Sequence, residues 1–278
     1  MLTIQNFLSH VKAASSRRYK LLLLLALFSG LLTSILFRPA TGVIGKAIET
    51  LGDVQPSDET IEATARVIVE GFTTLIMGQL ALMALAAALL PLWARAMSPQ
   101  GLIPNQGDLL AGFSRAIAAF QHMFFAGILS VASVLIAAPI IVAVSGFLGG
   151  LGSLLILVTS FALLWLNFAY SAVANFAIIH CAEERDISYI TAWRRAQPFL
   201  RAITGSYAMI WLAAGVVSFL LSNLLVQTLP LGLAQTLSLI LSGISALLVG
   251  ALHITGLYAL PIINSQPDAD DDDPSSTK

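Results

Sequence analysis

Charge is the property that this sequence has least of. Only 10% of its 278 residues are Asp, Glu, Lys or Arg, whereas average soluble chains carry about 25%. Hydrophobic residues make up 57% of the chain, and the mean hydropathy is +0.86. Such a chain has too little charge to cover a soluble globule, so a soluble domain is excluded and a membrane protein is predicted.

Cysteine and catalytic motifs are scarce as well. Cys181 is the single cysteine, which excludes an intramolecular disulfide. The chain has no serine elbow, no H-E-x-x-H zinc motif and no carboxylate-rich motif of the lipid phosphotransferase kind. His180 and Glu184 have the spacing to face one metal ion, but acidic residues ahead of a capped helix explain the same letters. We therefore predict no catalytic residue, no cofactor, no metal and no nucleic-acid partner.

Apolar runs are what the chain has in place of charge. A run of about 18 residues crosses roughly 30 Å of hydrocarbon. Six runs have about this length or more: Leu21–Phe37 with its flanks, Phe72–Trp93, Met123–Val144, Leu154–Ile179, Tyr207–Val226 and Ala234–Ile262. We predict an all-α polytopic membrane protein with a single six-helix transmembrane domain over residues 1–265. Residues 266–278 are acidic and have nothing to bury, so a disordered tail is predicted there.

The basic residues fall mainly on one side of these spans. They precede span 1, separate spans 2 and 3 and spans 4 and 5, and end the tail: Lys12, Arg17, Arg18, Lys20, Arg95, Arg115, Arg185, Arg194, Arg195, Arg201 and Lys278. The opposite side has only Arg38, Lys46 and Arg66. Because basic residues are retained on the cytoplasmic side of a membrane, both termini are predicted to be cytoplasmic.

The most charged passage between two spans is "EERDISYITAWRRAQPFLRAITGSY", Glu183–Tyr207. Ser188 is a good helix N-cap, apolar residues then recur at helical spacing, and Pro198 predicts a bend into span 5. We predict a short cytoplasmic amphipathic helix along the membrane surface, called the elbow. Its arginines are expected to contact anionic lipid headgroups: Arg194, Arg195 and Arg201.

An earlier segment resembles the elbow in its pattern. "DLLAGFSRAIAAF", Asp108–Phe120, aligns with "SYITAWRRAQPFL", Ser188–Leu200, and the alignment pairs Arg115 with Arg195. The alignment predicts a second elbow, with Arg115 at the headgroups. Three units of elbow plus helical hairpin follow, at about 1–97, 98–184 and 185–265. In the first unit Leu2, Ile4, Phe7, Leu8 and Val11 suit an interfacial helix, and a frayed polar terminus is the alternative.

One resemblance rests on the elbow. Acidic residues end span 4, and a capped S-x-x-x-A-W-R-R-A segment, Ser188–Ala196, leads into span 5. This arrangement is similar to segments of bacterial six-span families, such as the membrane domain attached to some glycerophosphodiester phosphodiesterases and related inner-membrane proteins. The similarity covers mainly Glu183–Tyr207 and the six-span plan. It implies a helical fold in a bacterial inner membrane and does not imply an activity. The phosphodiesterase's catalytic domain is not expected here, since only a short tail follows span 6.

Few polar side chains lie within the spans. His253 is the only ionisable side chain at depth, which weakens ion-coupled transport because a proton relay usually needs an acidic partner. Gln79, Asn167, Asn175 and Asn223 lie within the spans or at their ends. Hydrogen bonding between helices is the favoured interpretation. The alternative is a solute path lined by Gln79, Asn167, Asn175 and His253.

Small residues mark two places. Gly146 and Gly150, in "SGFLGGLGS", have the spacing of close helix packing, although a tight extracytoplasmic turn between spans 3 and 4 is the favoured interpretation of this stretch. The lysine and Ser/Thr of a phosphate-binding loop are missing from it. Span 6 has a small residue at every fourth position, which favours packing within the protein or between copies: Ser238, Ser242, Ala246 and Gly250.

Two hypotheses for function follow from these patterns. The first is a non-catalytic membrane protein that acts through interaction, as a scaffold, assembly or regulatory protein. Its expected partners are anionic lipid headgroups and a second copy of the chain or another membrane protein. The alternative is a facilitator or transporter of a small neutral solute or lipid. A membrane enzyme would require metal binding at the His180 cluster, for which the pattern is thin.

Overall fold

The computed structural model describes residues 18–52, 58–98, 109–148, 150–183 and 187–258, together with Ser9, Val11 and Lys12. These residues form α-helices, with no strand among them. The helices are α1 (Tyr19–Gly52), α2 (Asp58–Met97), α3 (Leu109–Leu148), α4 (Gly150–Ala182), α5 (Tyr189–Ala196), α6 (Leu200–Thr228) and α7 (Leu231–Leu257), and a 3₁₀ turn, Gln197–Phe199, joins α5 to α6. The predicted all-α class is confirmed.

Six stretches of these helices are long and apolar enough to cross a membrane: Tyr19–Phe37, Ile76–Met97, Ala111–Val144, Gly152–Ala182, Tyr189–Thr228 and Leu231–Leu257. Helices suit this environment because every backbone N–H and C=O inside hydrocarbon must find its partner within the segment. The six predicted spans are confirmed, and the chain is a multi-pass membrane protein.

The spans alternate in direction, so two ends of the bundle are distinguished. One end contains the starts of α1, α3 and α6 and the ends of α2, α4 and α7. We call this end the basic end, because the basic residues described there are Lys12, Arg18, Lys20, Arg95, Arg115, Arg194, Arg195 and Arg201. The opposite end is called the far end.

Packing is concentrated at the basic end. Trp93, Phe176 and Ile254 are fully buried there, in a core contributed by α2, α4 and α7. Toward the far end, α3, α4 and α6 expose their apolar side chains, among them Leu135 and Phe219 at 67% each. Those surfaces suit contact with lipid chains, so the bundle is tight at one end and open at the other.

The two helices α1 and α7 approach closely near their middles. A Cβ atom added to Gly30 would lie 2.6 Å from the carbonyl oxygen of Ile240, and one added to Gly243 would lie 2.9 Å from that of Ser29. The Ser29 hydroxyl donates to the Gly243 carbonyl oxygen at 3.1 Å. Small residues permit this approach, which is how membrane helices gain van der Waals contact.

The elbow at Ser188 folds as a separate short helix. The Ser188 hydroxyl accepts the backbone N–H of Thr191 at 3.2 Å and so caps α5. Pro198 lies in the 3₁₀ turn that ends α5, where its missing N–H interrupts the helical ladder. Tyr189, Ala192 and Ala196 are buried on the face that packs against the bundle.

The matching elbow predicted at Asp108–Phe120 is wrong as a separate helix. Helix α3 runs without interruption from Leu109 to Leu148. A physical difference is that this segment has no proline at the position that Pro198 takes in the elbow, so the backbone N–H groups there can all join the helical ladder; Pro139 lies further along α3, which continues through it. Asp108 lies outside the described residues.

The three-unit repeat and the N-terminal interfacial helix stay predictions. Val11 is buried in the core cluster, whereas Leu2, Ile4, Phe7 and Leu8 lie outside the described residues.

A candidate ligand cavity between the six spans

A cavity of about 310 Å³ lies inside the bundle, above the packed core of the basic end. All six spans contribute residues to its wall. Much of the wall is apolar, with Leu82, Met83 and Met123 as examples. A mostly apolar wall with a few placed polar groups, at a volume near 300 Å³, is typical of a small-molecule site.

Helices α1 and α2 place polar groups on one part of the wall. Ser29 and Thr33 lie one helical turn apart on α1, and Gln79 lies on α2. The Thr33 hydroxyl donates to the Ser29 carbonyl oxygen at 2.8 Å, and the Ser29 hydroxyl donates to Gly243. Each hydroxyl oxygen retains acceptor capacity. Gln79 is exposed, so its amide is available at the wall.

Helices α4 and α6 also place polar groups on the wall: Asn175, Ser171 and Tyr207. The Asn175 side-chain nitrogen lies 3.2 Å from Nδ1 of His253, and Nε2 of His253 lies 3.0 Å from the Ile203 carbonyl oxygen. A carbonyl can only accept, so Nε2 carries the proton and Nδ1 accepts from Asn175. The imidazole is therefore neutral, and its hydrogen bonds join α4, α6 and α7.

On the basic-end side of the cavity, hydrogen bonds join α2 to α7 and to Tyr258, the residue after α7; we call this layer the floor. The Trp93 indole N–H lies 2.8 Å from the Ala251 carbonyl oxygen and 3.0 Å from the Thr255 hydroxyl. The Tyr258 hydroxyl donates to the Ala94 carbonyl oxygen at 2.9 Å. Burial, with the neighbouring Glu183 carboxylate, raises the pKa of Tyr258, so this hydroxyl keeps its proton and stays a donor.

The four intramembrane polar residues of the solute-path hypothesis divide into three groups. Gln79 and Asn175 both line the cavity. His253 is fully buried behind Asn175 and pairs helices. Asn167 donates to the Leu163 carbonyl oxygen of its own helix at 2.9 Å and is not among the lining residues. Asn223 bonds its own helix in the same way, through Phe219 at 2.9 Å.

The arginines assigned to headgroups lie at the basic end, away from the cavity. Arg194 and Arg201 are exposed, and Arg195 is half-buried. Arg115 is half-buried on the continuous helix α3, not on a separate elbow. Their contact with lipid stays a prediction.

The small residues of span 6 divide between two cavities. Ala246 and Gly250 line the central cavity, where a Cβ on Gly250 would lie 3.1 Å from Leu90. Ser238 and Ser242, with Ala246, line a second cavity between α6 and α7.

The glycines between spans 3 and 4 lie on helices. Gly146 lies within α3, and Gly150 begins α4. Helix therefore covers most of the stretch predicted as a turn, and a single position separates the two helices.

Sequence reasoning missed the groups that define the cavity wall on α1 and α6. Ser29, Thr33 and Tyr207 were not singled out, nor were Gly30 and Gly243, which set the approach of α1 to α7. A signal for two of them was present. "SGLLTS", Ser29–Ser34, places small residues one helical turn apart, as span 6 does.

The part of the chain that the structure describes holds no group of three or more His, Cys, Asp or Glu side chains suited to a metal ion. His180 is buried at the end of α4, and Glu184 lies outside the described residues.

The chain matches no protein family, no curated protein and no solved structure. The resemblance to bacterial six-span families stays a prediction. The class that the fold itself defines is a six-span helical membrane protein with an internal cavity whose polar groups are hydroxyls and amides.

Proposed function

We propose that this chain is a protein of a bacterial inner membrane that facilitates the passage of a small neutral solute or of a neutral lipid headgroup. Both termini are cytoplasmic in this proposal. The distribution of basic residues supports the orientation, because they gather at the end that would face the cytoplasm.

The observation that carries the proposal is the central cavity. All six spans contribute residues to its wall, so the cavity forms only when the whole bundle is assembled. A bundle that only joined helices would bring its polar groups into pairs, as His253 and Asn175 do. Ser171 also pairs, with Tyr207, but Gln79 and Ser130 lie on the same cavity wall as these paired groups.

The chemistry of the wall favours a neutral ligand. Among the residues that the structure describes, none on the cavity wall is Asp, Glu, Lys or Arg, and an ion entering hydrocarbon needs an opposite charge or many dipoles around it. Hydroxyl and amide groups bind hydroxyl, amide or ether groups well. The volume of about 310 Å³ suits a small polyol or a lipid headgroup rather than a whole lipid.

The closed floor supports access from the far end. Trp93 is fully buried on the basic-end side of the cavity, and its hydrogen bonds hold α2 against α7 there, which in this proposal seals that end. A facilitator that opens alternately to the two sides needs such a seal in one of its states.

The test uses purified protein in vesicles with two probes. The first is erythritol entry, followed by light scattering. The second is transfer of NBD-labelled monoglucosyldiacylglycerol between leaflets, followed by dithionite bleaching. We expect the protein to accelerate at least one of them over empty vesicles.

A matched pair of variants ties that activity to the cavity. A Cβ on Gly127 lies 3.8 Å from Met83, so Gly127→Phe fills the cavity. Nothing lies within 4 Å of a Cβ on Gly232, which makes Gly232→Phe the control. We expect at least a tenfold loss for the first variant and none for the second. Equal rates for both variants, or no acceleration by the unaltered protein, would contradict the proposal.

The second candidate function is the interaction protein, and the elbow favours it. Arg194 and Arg201 are exposed on and beside a short helix whose other face packs on the bundle. The Tyr189 hydroxyl fixes the elbow to α4 by donating to the Tyr170 carbonyl oxygen at 2.9 Å. A fixed elbow with exposed guanidinium groups suits anionic headgroups or an acidic partner surface.

A further inference from the structure

A second cavity of about 480 Å³ lies between α6 and α7. It spans the middle of these helices, from Tyr207 to Ser222 on α6 and from Ser238 to Val249 on α7, beside exposed apolar side chains of α6. Five serines lie on its wall, which is unusual beside hydrocarbon because each hydroxyl needs a partner: Ser218, Ser222, Ser238, Ser242 and Ser245. We call this cavity the serine groove.

The serine groove adjoins the central cavity. Tyr207 and Ala246 are on the walls of both. Tyr207 stands edge-on against His253, with ring centroids 5.1 Å apart at 87°, and is hydrogen-bonded to Ser171. A group moving along the groove toward α4 would therefore meet the Tyr207 side chain at the entrance to the central cavity.

Three hydroxyls in the groove bear on the binding of a polar ligand. The Ser238 hydroxyl oxygen is buried and has no hydrogen-bonding partner within the part of the chain that the structure describes. The hydroxyls of Ser218 and Ser245 bond each other across the two helices. This bond crosses the groove, so α6 and α7 must separate there before a ligand can pass.

We infer that the serine groove is a lateral entrance through which a lipid with a neutral, hydroxyl-bearing headgroup reaches the central cavity from the bilayer. The inference rests on the proposed function and names its substrate class. The headgroup exchanges hydrogen bonds with the serines while the acyl chains stay in the bilayer. Neither wall has Asp, Glu, Lys or Arg among its described residues, which favours a sugar or polyol headgroup over a phosphate.

A reversible lock tests the entrance. The contact between the Ser218 and Ser245 hydroxyls makes Ser218→Cys/Ser245→Cys a suitable pair for a disulfide that holds α6 against α7. Native Cys181 is buried at the basic end and can remain. Each single cysteine variant, given the same oxidant, is the control, and mass spectrometry verifies the disulfide.

The readouts are the two vesicle assays already described. We expect oxidation of the double variant to reduce glucolipid transfer at least tenfold, and dithiothreitol to restore it, with the single variants unaffected. Unchanged transfer in the locked protein would overturn the lateral entrance and leave the proposed function standing. Erythritol flux without glucolipid transfer would do the same. If the unaltered protein shows neither activity, the lateral entrance and the proposed function are both overturned. If the disulfide does not form, the side chains at positions 218 and 245 do not meet across α6 and α7, and the serine groove as described is wrong.

Discussion

The approach of α1 to α7 supplies the sharpest test of the fold. Replacing Gly243 with Ala adds a Cβ that would lie 2.6 Å from Thr33 Cβ and 2.9 Å from the Ser29 carbonyl oxygen. Carbon atoms pack best at about 3.5 to 4.0 Å, so α1 must move away by roughly 1 Å. That movement breaks the hydrogen bond from Ser29 to Gly243 and opens the contact around Gly30.

The expected loss can be worked from these contacts. Overpacking costs about 1 to 3 kcal/mol, and a lost hydrogen bond between membrane helices costs about 0.6 kcal/mol. Gly243→Ala should therefore lower the free energy of unfolding by about 1.5 to 3.5 kcal/mol. Reversible unfolding in mixed detergent micelles, with helix content as the readout, measures this difference.

Gly215→Ala is the matched control, because it makes the same change in the neighbouring helix α6. Nothing lies within 4 Å of a Cβ at Gly215, and Ala favours a helix over Gly by up to about 1 kcal/mol. The control should be neutral or slightly stabilising. If the two variants have the same free energy of unfolding, α1 and α7 do not approach as described, and the part of the cavity wall that they form is wrong as well.

Two further predictions concern the basic end. Trp93→Phe should lower the free energy of unfolding by about 1 to 2 kcal/mol, because the indole N–H bonds both Ala251 and Thr255. Trp165→Phe is the control and should change little, because Trp165 is 48% exposed. Equal melting temperatures for the two variants would contradict the hydrogen bonds described for the floor. Replacing the elbow arginines with glutamate should weaken anionic-lipid retention in native mass spectrometry by about 1 kcal/mol per residue: Arg194, Arg195 and Arg201. Neutral-lipid retention is its control, and unchanged anionic retention would count against headgroup contact.

The class of fold followed from composition and run length because the membrane imposes both. A span must be apolar along its whole length, so hydropathy alone locates it. The elbow was also readable, since Ser188 and Pro198 act on the backbone within a few residues of themselves.

The missed features depend on neighbours that are distant in the chain. Asp108–Phe120 resembles the elbow in side-chain pattern, but without a proline the helix of α3 continues through it. Polar residues in a span look alike in sequence, yet Asn175 faces a cavity and Asn167 faces its own backbone. Which of these occurs is set by the rotation of α4 against five other helices, and one sequence carries little information on that rotation.

The contrast in burial along the bundle has a consequence for how it moves. Local opening costs least where few apolar contacts must be broken. The outer lengths of α3 and α6 should therefore fluctuate first, whereas amides around Trp93, Phe176 and Ile254 should resist deuterium exchange longest. The helices can therefore separate at the far end while the packed core of the basic end stays folded.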